Sequence, residues 1–521
     1  ADTPAAFIRS YYVRGTNPND VSDFAINGLF TQAKWNITPL LTAVLGVRYD
    51  WFTAGERPPL NQSFKTIFGQ GNDGTVDGSN SVSPRVSFNW AVDESRTLQV
   101  RGGLGHFTGR IPWVMVSNSY GNSGVGRSSV TTLAPATGLV SYLRSDFDPA
   151  NPIGSAASVN VGRPVINLIK ERLDAPSVWR GNLAADVKLP LLDSMATVEV
   201  IRSVADQALF IRDLNIQTRA VGSDGRQLFR GTVNTAANAA HPEFSNVYEV
   251  SNVSEGGSTY VSFSLQRPMK NKWSYNATYT LGRSTDVLLL GETVAGSQFN
   301  RNPVFNQNRP ELSRSAFEIK NRVQLSFARE FEFVKDHKTS FSLYYEGRTG
   351  NPYSFVYSGD ANGDGVSAND LVYVPTGTTD AALGALTPAA AQAYMDFVAD
   401  SPLAKYRGGI APRNAFTMPW VNRLDLHVAQ TIPVHFRNVE LEIFADFVNF
   451  GSWFSKKMFG YTETITGGGD NELLATRNFG NATYTAAGQL QMTGAYVAPV
   501  VATPNNELSR WRIQFGARLK F

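Results

Sequence analysis

The sequence predicts an all-β fold, a transmembrane antiparallel β-barrel with about fourteen strands among its 521 residues. Three observations predict it. Segments of roughly 9–14 residues alternate apolar and polar side chains, which gives a strand one greasy face and one wet face. The links between them switch between short turns and stretches of about 30–70 residues, whereas soluble β-sandwiches turn at more even spacing. No apolar run reaches the roughly 18 residues that a membrane helix needs, so any span must be β.

Composition agrees and excludes several classes. The chain is 42% hydrophobic, 17% charged and 12% aromatic, with 45 Gly and a formal charge of +3. That balance lacks the basic stripe of a nucleic-acid binder, so no nucleic-acid partner is expected. There is no Cys, hence no disulfide and no thiolate metal site, which suits an extracytoplasmic compartment. The chain opens Ala1-Asp2-Thr3-Pro4, as a mature protein or the downstream piece of a longer one would.

Residues 1–22 read as a polar lead-in or extracellular tail, and 23–521 as barrel. Asp23–Asn36 turns at Ile37-Thr38-Pro39 into Leu40–Phe52, where Leu41, Ala43, Leu45, Val47, Tyr49 and Trp51 share one face. Val82–Trp90 and Thr97–Thr108 flank a turn at Ala91–Arg96. The GRIPWV stretch Gly109–Val114 is too irregular to span. Val178–Lys188 pairs with Met195–Asp206, which Ala208–Ile216 either extends or leaves as loop. Thr259–Arg267 with Trp273–Arg283, Phe317–Phe331 with Thr339–Gly350, and Val421–Gln430 with Val439–Phe450 repeat the pattern. Asn481–Gln491 and Ser509–Phe521 complete it. Long connections fall at about 53–81, 109–177, 207–258, 284–316, 351–420 and 451–480, and Pro388–Val398 reads as a surface helix within one of them. In lipid an unpaired backbone group costs several kcal/mol, so such strands must close on one another.

Two clusters carry candidate chemistry. Asp360, Asn362 and Asp364 have the D-x-N-x-D-G spacing of a calcium loop, with Gly365 at the sharp turn and Val366 offering its carbonyl. Leu371 stands where a twelfth-position carboxylate belongs; Asp370, one residue earlier, is the substitute. The plain alternative is an Asn/Gly turn closed by Asx hydrogen bonds. Arg48, Asp50, Arg85 and Arg101 fall on inward faces. Aligning Phe88 with Leu98 sets Arg85 opposite Arg101, which calls for a carboxylate such as Asp50, or a ligand or plug, between them. The bland reading is a solvated ladder of ion pairs lining the lumen.

Other chemistry finds little support. His106, His241, His337, His427 and His435 show no ligand spacing, and no nucleophile elbow occurs. Gly467-Gly468-Gly469 has no following helix to cradle phosphate. Outward Trp35, Trp51, Trp90, Trp179, Trp273 and Trp511 fit interfacial belts.

Several motifs resemble one family. Trp35-Asn36-Ile37-Thr38 with Leu45-Gly46-Val47-Arg48-Tyr49-Asp50 resembles a hairpin of TonB-dependent outer-membrane receptors, as does Ser83-Pro84-Arg85 leading to Val100-Arg101-Gly102-Gly103. Pro352-Tyr353-Ser354, the segment Gly359–Pro375 and Pro419–Leu426 resemble the Oar-like branch. Ser509–Phe521 resembles the final strand of outer-membrane barrels, which implies that Trp511, Ile513, Phe515 and the terminal Phe521 signal to the barrel-insertion machinery.

The resemblance implies a barrel of about 22 strands with a plugged lumen, of which these would be the last fourteen. No plug-like or TonB-contacting sequence precedes Phe24. The remaining strands and the plug, on another chain if need be, would be partners of this one, and the TonB complex would act through the missing plug. Lipid of a Gram-negative outer membrane would surround the wall. The leading expectation is therefore an integral outer-membrane transporter taking up a scarce ligand, without enzymatic activity. Calcium is the one cofactor expected. The alternatives are a surface interaction or adhesion protein and a passive pore.

Overall fold

The computed structural model describes residues 6–14, 23–125, 127–135, 159–161, 163–190, 193–231, 236–434, 439–463, 476–494, 503–505 and 509–521. Thirteen strands form the wall: β1 (Phe24–Asn36), β2 (Leu41–Ala54), β3 (Asn80–Ala91), β4 (Leu98–Thr108), β5 (Ser177–Leu189), β6 (Ser194–Asp213), β7 (Gly257–Lys270), β8 (Trp273–Asp286), β9 (Asn321–Val334), β10 (His337–Arg348), β11 (Val421–Val434), β12 (Val439–Val448) and β13 (Arg512–Lys520). Each pairs antiparallel with the next in sequence order. Among the described residues β1 and β13 have a wall partner on one side only.

The register shows two faces. Leu41, Ala43, Leu45, Val47 and Tyr49 of β2 lie opposite Trp90, Phe88, Val86, Pro84 and Val82 of β3. On the far side of the wall Ile443 and Leu441 of β12 meet Ala517 and Leu519 of β13, while Phe515 meets Ala445. These apolar side chains stand largely in the open, Leu45 at 51% and Phe515 at 76% of full exposure. None of Val47, Phe88, Leu265 or Phe515 is buried in protein. Water rejects such a continuous apolar surface, and hydrocarbon accepts it. The alternate positions carry most of the charged side chains, among them Arg48, Asp50, Glu442 and Arg518, which make the ion pairs described below. Tryptophans mark both rims: Trp35, Trp90 and Trp273 at the short-turn end, Trp51, Trp179 and Trp511 at the long-loop end.

Short turns are locally encoded. Between β3 and β4 the Asp93 carboxylate accepts from Ser95 and Thr97 hydroxyls and from the Thr97 and Leu98 amides. Those bonds hold its pKa below the ordinary carboxylate value, the Ser95 hydroxyl contributing most. They also set the register, with Ala91 opposite Gln99 and Phe88 opposite Gly102. The expected alignment of Phe88 with Leu98 is therefore corrected. Arg101 lies opposite Asn89, and Arg85 opposite Gly105.

A second correction concerns Asn481–Gln491. It is not a wall strand; Asn481–Tyr484 folds back on Leu490–Thr493 as a separate hairpin, and β12 pairs directly with β13. Its alternation spans a turn, with Gly488 at φ +80°, so the segment is too short to cross. The extension of β6 is real: Ala208–Asp213 leaves the wall to pair with Val247–Val253. The irregular GRIPWV stretch gives way to a helix, Trp113–Gly121, entered after Pro112. Within the lead-in, Ala6–Arg14 forms a strand paired with Arg127–Pro135, apart from the wall; residues 1–5 and 15–22, like His435 and Gly467–Gly469, lie outside the described residues.

The long connections fold into a cap at one end of the wall. One apolar core joins Phe52 with Ile111, Met115 and Val116, Leu209–Ile211 and Phe299. A second joins Phe355 and Tyr357 with Leu403, Phe479 and Leu490. The helix Pro388–Ala399 begins on Thr387, whose hydroxyl accepts the Ala390 amide, with proline at its first position. It is less superficial than expected. Ala391, Tyr394, Met395 and Val398 are buried in the second core, because those positions fall on one face at helical spacing.

Candidate functional site

The inward face of the wall carries charge in neutralised groups. Arg48 binds Asp50 two residues on, at 2.6 Å, since both point inward from β2. Arg101 binds Asp186 of β5 at 3.0 Å and reaches Glu199 of β6 at 3.5 Å. The Arg85 guanidinium lies 4.6 Å from the centre of the Phe107 ring. Three of the four candidate lumen residues are thus paired, and Arg85 and Arg101 are not brought together. The pattern continues round the wall with Arg322–Glu346, Arg423–Asp425 and the two cations Arg518 and Lys520 on Glu442. Half-exposed pairs of this kind contribute little stability each. They keep a polar surface facing water. On β13, Gly516 leaves room for the Phe444 ring, which would lie 2.2 Å from an added Cβ.

The candidate assembly residues sit where their alternation puts them. Ile513 and Phe515 are outward on β13, Trp511 stacks on Trp453 at 5.6 Å, and Phe521 is 98% exposed.

In the cap, Asp360–Asp370 is wrapped by other connections. Phe229 and Gly231 donate their amides to the carbonyls of Asn362 and Gly363, and Val304 donates to that of Asn369. Gly363 has φ +80°, and a Cβ there would stand 2.7 Å from the Phe229 carbonyl, so only glycine fits. Asp360 accepts the amides of Gly363, Asp364 and Gly365. Asp364 accepts the Val366 amide and the side-chain amides of Asn362 and Asn369, the latter two at 3.2 Å. Burial pushes the Asp360 carboxyl up to about 6 and raises Asp364 well above its ordinary range. Among the described residues no group of three or more His, Asp or Glu side chains is placed to hold a metal ion.

Asp370 does something else. One of its oxygens accepts Arg226 at 2.8 Å, and the other takes the amides of Ala361 and Asn362. Arg226 is itself fully buried; it also reaches Asp224 at 3.5 Å, donates to the Leu371 carbonyl and lies over the Phe305 ring. Asp224 in turn accepts the Tyr484 hydroxyl at 2.9 Å. One guanidinium thereby ties four separate connections together. A second buried arginine, Arg413, binds Asp286 at 2.7 Å and Asn302 at 3.0 Å. Sequence reading missed Arg226, Asn369 and Arg413. The only local signal was the turn Ser223-Asp224-Gly225-Arg226, which is too common to single out.

The family described as "Outer membrane beta barrel domain" matches residues 4–492. No curated protein matches. Among solved structures, the chain is similar to a variant of the ferric enterobactin receptor PfeA of Pseudomonas aeruginosa, at 11% identity and a TM-score of 0.41, over 95% of this chain and 44% of that one. The outer membrane transporter YddB of Escherichia coli gives 12% identity and 0.41, over 82% and 41%. The FrpB iron transporter of Neisseria meningitidis gives 10% and 0.38, over 82% and 42%. The chain thus spans less than half the length of these proteins.

Proposed function

We propose that this chain, which belongs to the outer membrane β-barrel domain family, is the wall and outer cap of a receptor that captures a scarce ligand and passes it inward with TonB-derived energy. The chain is an integral outer-membrane protein. The observation that carries the reading is the cap: among the described residues the long connections pack into three apolar cores, with Arg226 and Arg413 buried among them. A surface ordered in advance does not lose conformational entropy on binding, which favours tight capture of a dilute ligand. A passive pore gains nothing from such a lid. The motifs at Pro352–Ser354, Gly359–Pro375 and Pro419–Leu426 support placement in the Oar-like branch, and the remaining strands, the plug and its TonB contact are assigned to partner segments of the receptor.

The test is accumulation of candidate ligands, iron chelates first, by cells carrying the whole receptor, with and without TonB. Uptake should vanish without TonB while binding at the cell surface persists. Equal uptake in both strains contradicts the proposal.

A further inference from the structure

We propose that the cap loop Asp360–Asp370 binds one calcium-like divalent cation, held by side-chain oxygens of Asp360, Asn362, Asp364 and Asn369 and by the Val366 carbonyl. The first argument is charge. Four carboxylates (Asp224, Asp360, Asp364 and Asp370) crowd a part of the cap where, among the described residues, Arg226 is the one cation paired with them, and of the four it reaches only Asp224 and Asp370. Asp364 is 2% exposed and has no cation beside it among the described residues. An ionised carboxylate so placed is costly unless something positive joins it.

The second argument is an orphan atom. Asn369 is 1% exposed, and its Oδ1 has no hydrogen-bond partner among the described residues, although its Nδ2 lies against Asp364. A half-turn of the amide exchanges the two atoms. The oxygen would then lie beside the Asp364 carboxylate, a placement that two oxygens tolerate with a cation between them. Asn369 thereby takes the place that the sequence pattern assigned to Asp370, whose oxygens serve Arg226 and two amides. Two carboxylates with amide and main-chain oxygens are a hard donor set of calcium type. Magnesium keeps several of its waters, and the burial of Asn362, Asp364 and Asn369 leaves little room for them.

The ion would act as a clasp. Its ligands sit on the loop whose carbonyls accept the Phe229 and Gly231 amides, so occupancy would stiffen the contact between two long connections.

Isothermal titration of the intact receptor in detergent with calcium chloride tests this. Wild type should bind one ion per chain with Kd of about 10⁻⁴–10⁻³ M, and calcium should slow proteolysis within 351–413. Asn369→Ala and Asp364→Asn should each weaken binding at least about tenfold, or ~1.4 kcal/mol. Carried-over lipid binds equally in all three proteins and cancels in the comparison. Absence of saturable binding by wild type, or binding unchanged in both variants, overturns the proposal. The wild-type result stands even if a variant misfolds.

Discussion

Arg226→Met is expected to loosen the cap by about 3–5 kcal/mol, the range for removing one partner of a buried ion pair. The substitution keeps much of the side-chain volume but leaves Asp370 and Asp224 without their cation in a fully enclosed place. It also removes the donor to the Leu371 carbonyl. The loss falls on the connections and not on the wall, because none of the partners of Arg226 lies on a wall strand. Amide exchange should therefore speed up around 224–231 and 360–372 while amides of β7–β10 stay protected. Adding Asp370→Asn removes one stranded charge, so the double variant should recover part of the loss. Equal exchange in wild type and Arg226→Met would show that the guanidinium does not hold the connections together.

Leu343→Arg should cost about 2–4 kcal/mol, the penalty for a cation on the lipid face near mid-membrane. Leu343 lies in the middle of β10, outward, between Phe327 of β9 and Leu426 of β11. Ser342→Arg, one residue away, points to the polar side and should change stability by only ~0.5 kcal/mol. Urea titration of the folded fraction in lipid bilayers measures both. Similar losses at the two positions would mean that the faces do not differ in solvent.

The wall was largely legible in the sequence because its signals are local. Alternation places Val47, Phe263 and Phe515 on one face without knowledge of any partner, and β7–β8 turns at Asn271 and Lys272, both at positive φ. Register was less legible, since the Asp93 turn decides it by side-chain bonds that alternation does not report. Asn481–Gln491 misled because a short hairpin alternates like one strand.

The cap was mostly hidden. Its cores are assembled from segments far apart in the chain: Arg226 and Asp370 are 144 residues apart, Asp224 and Tyr484 260. Nothing in either neighbourhood points to the other. The D-x-N-x-D-G spacing exposed the acidic loop, but the positions beyond Asp364 depended on how Asn369 and Asp370 turn, which only the fold determines.

The most direct measurement uses single cysteines, which meet no background because the chain has none of its own. Nitroxide labels at Val47, Phe88, Leu265 and Phe515, and at the neighbouring Arg48, Ser87, Ser264 and Gln514, are compared in bilayers for collision with oxygen and with a water-soluble nickel chelate. The first four should meet oxygen and escape nickel, and the second four should meet nickel. Val47, Phe88, Leu265 and Phe515 shielded from both reagents would contradict a wall with hydrocarbon on one side and water on the other.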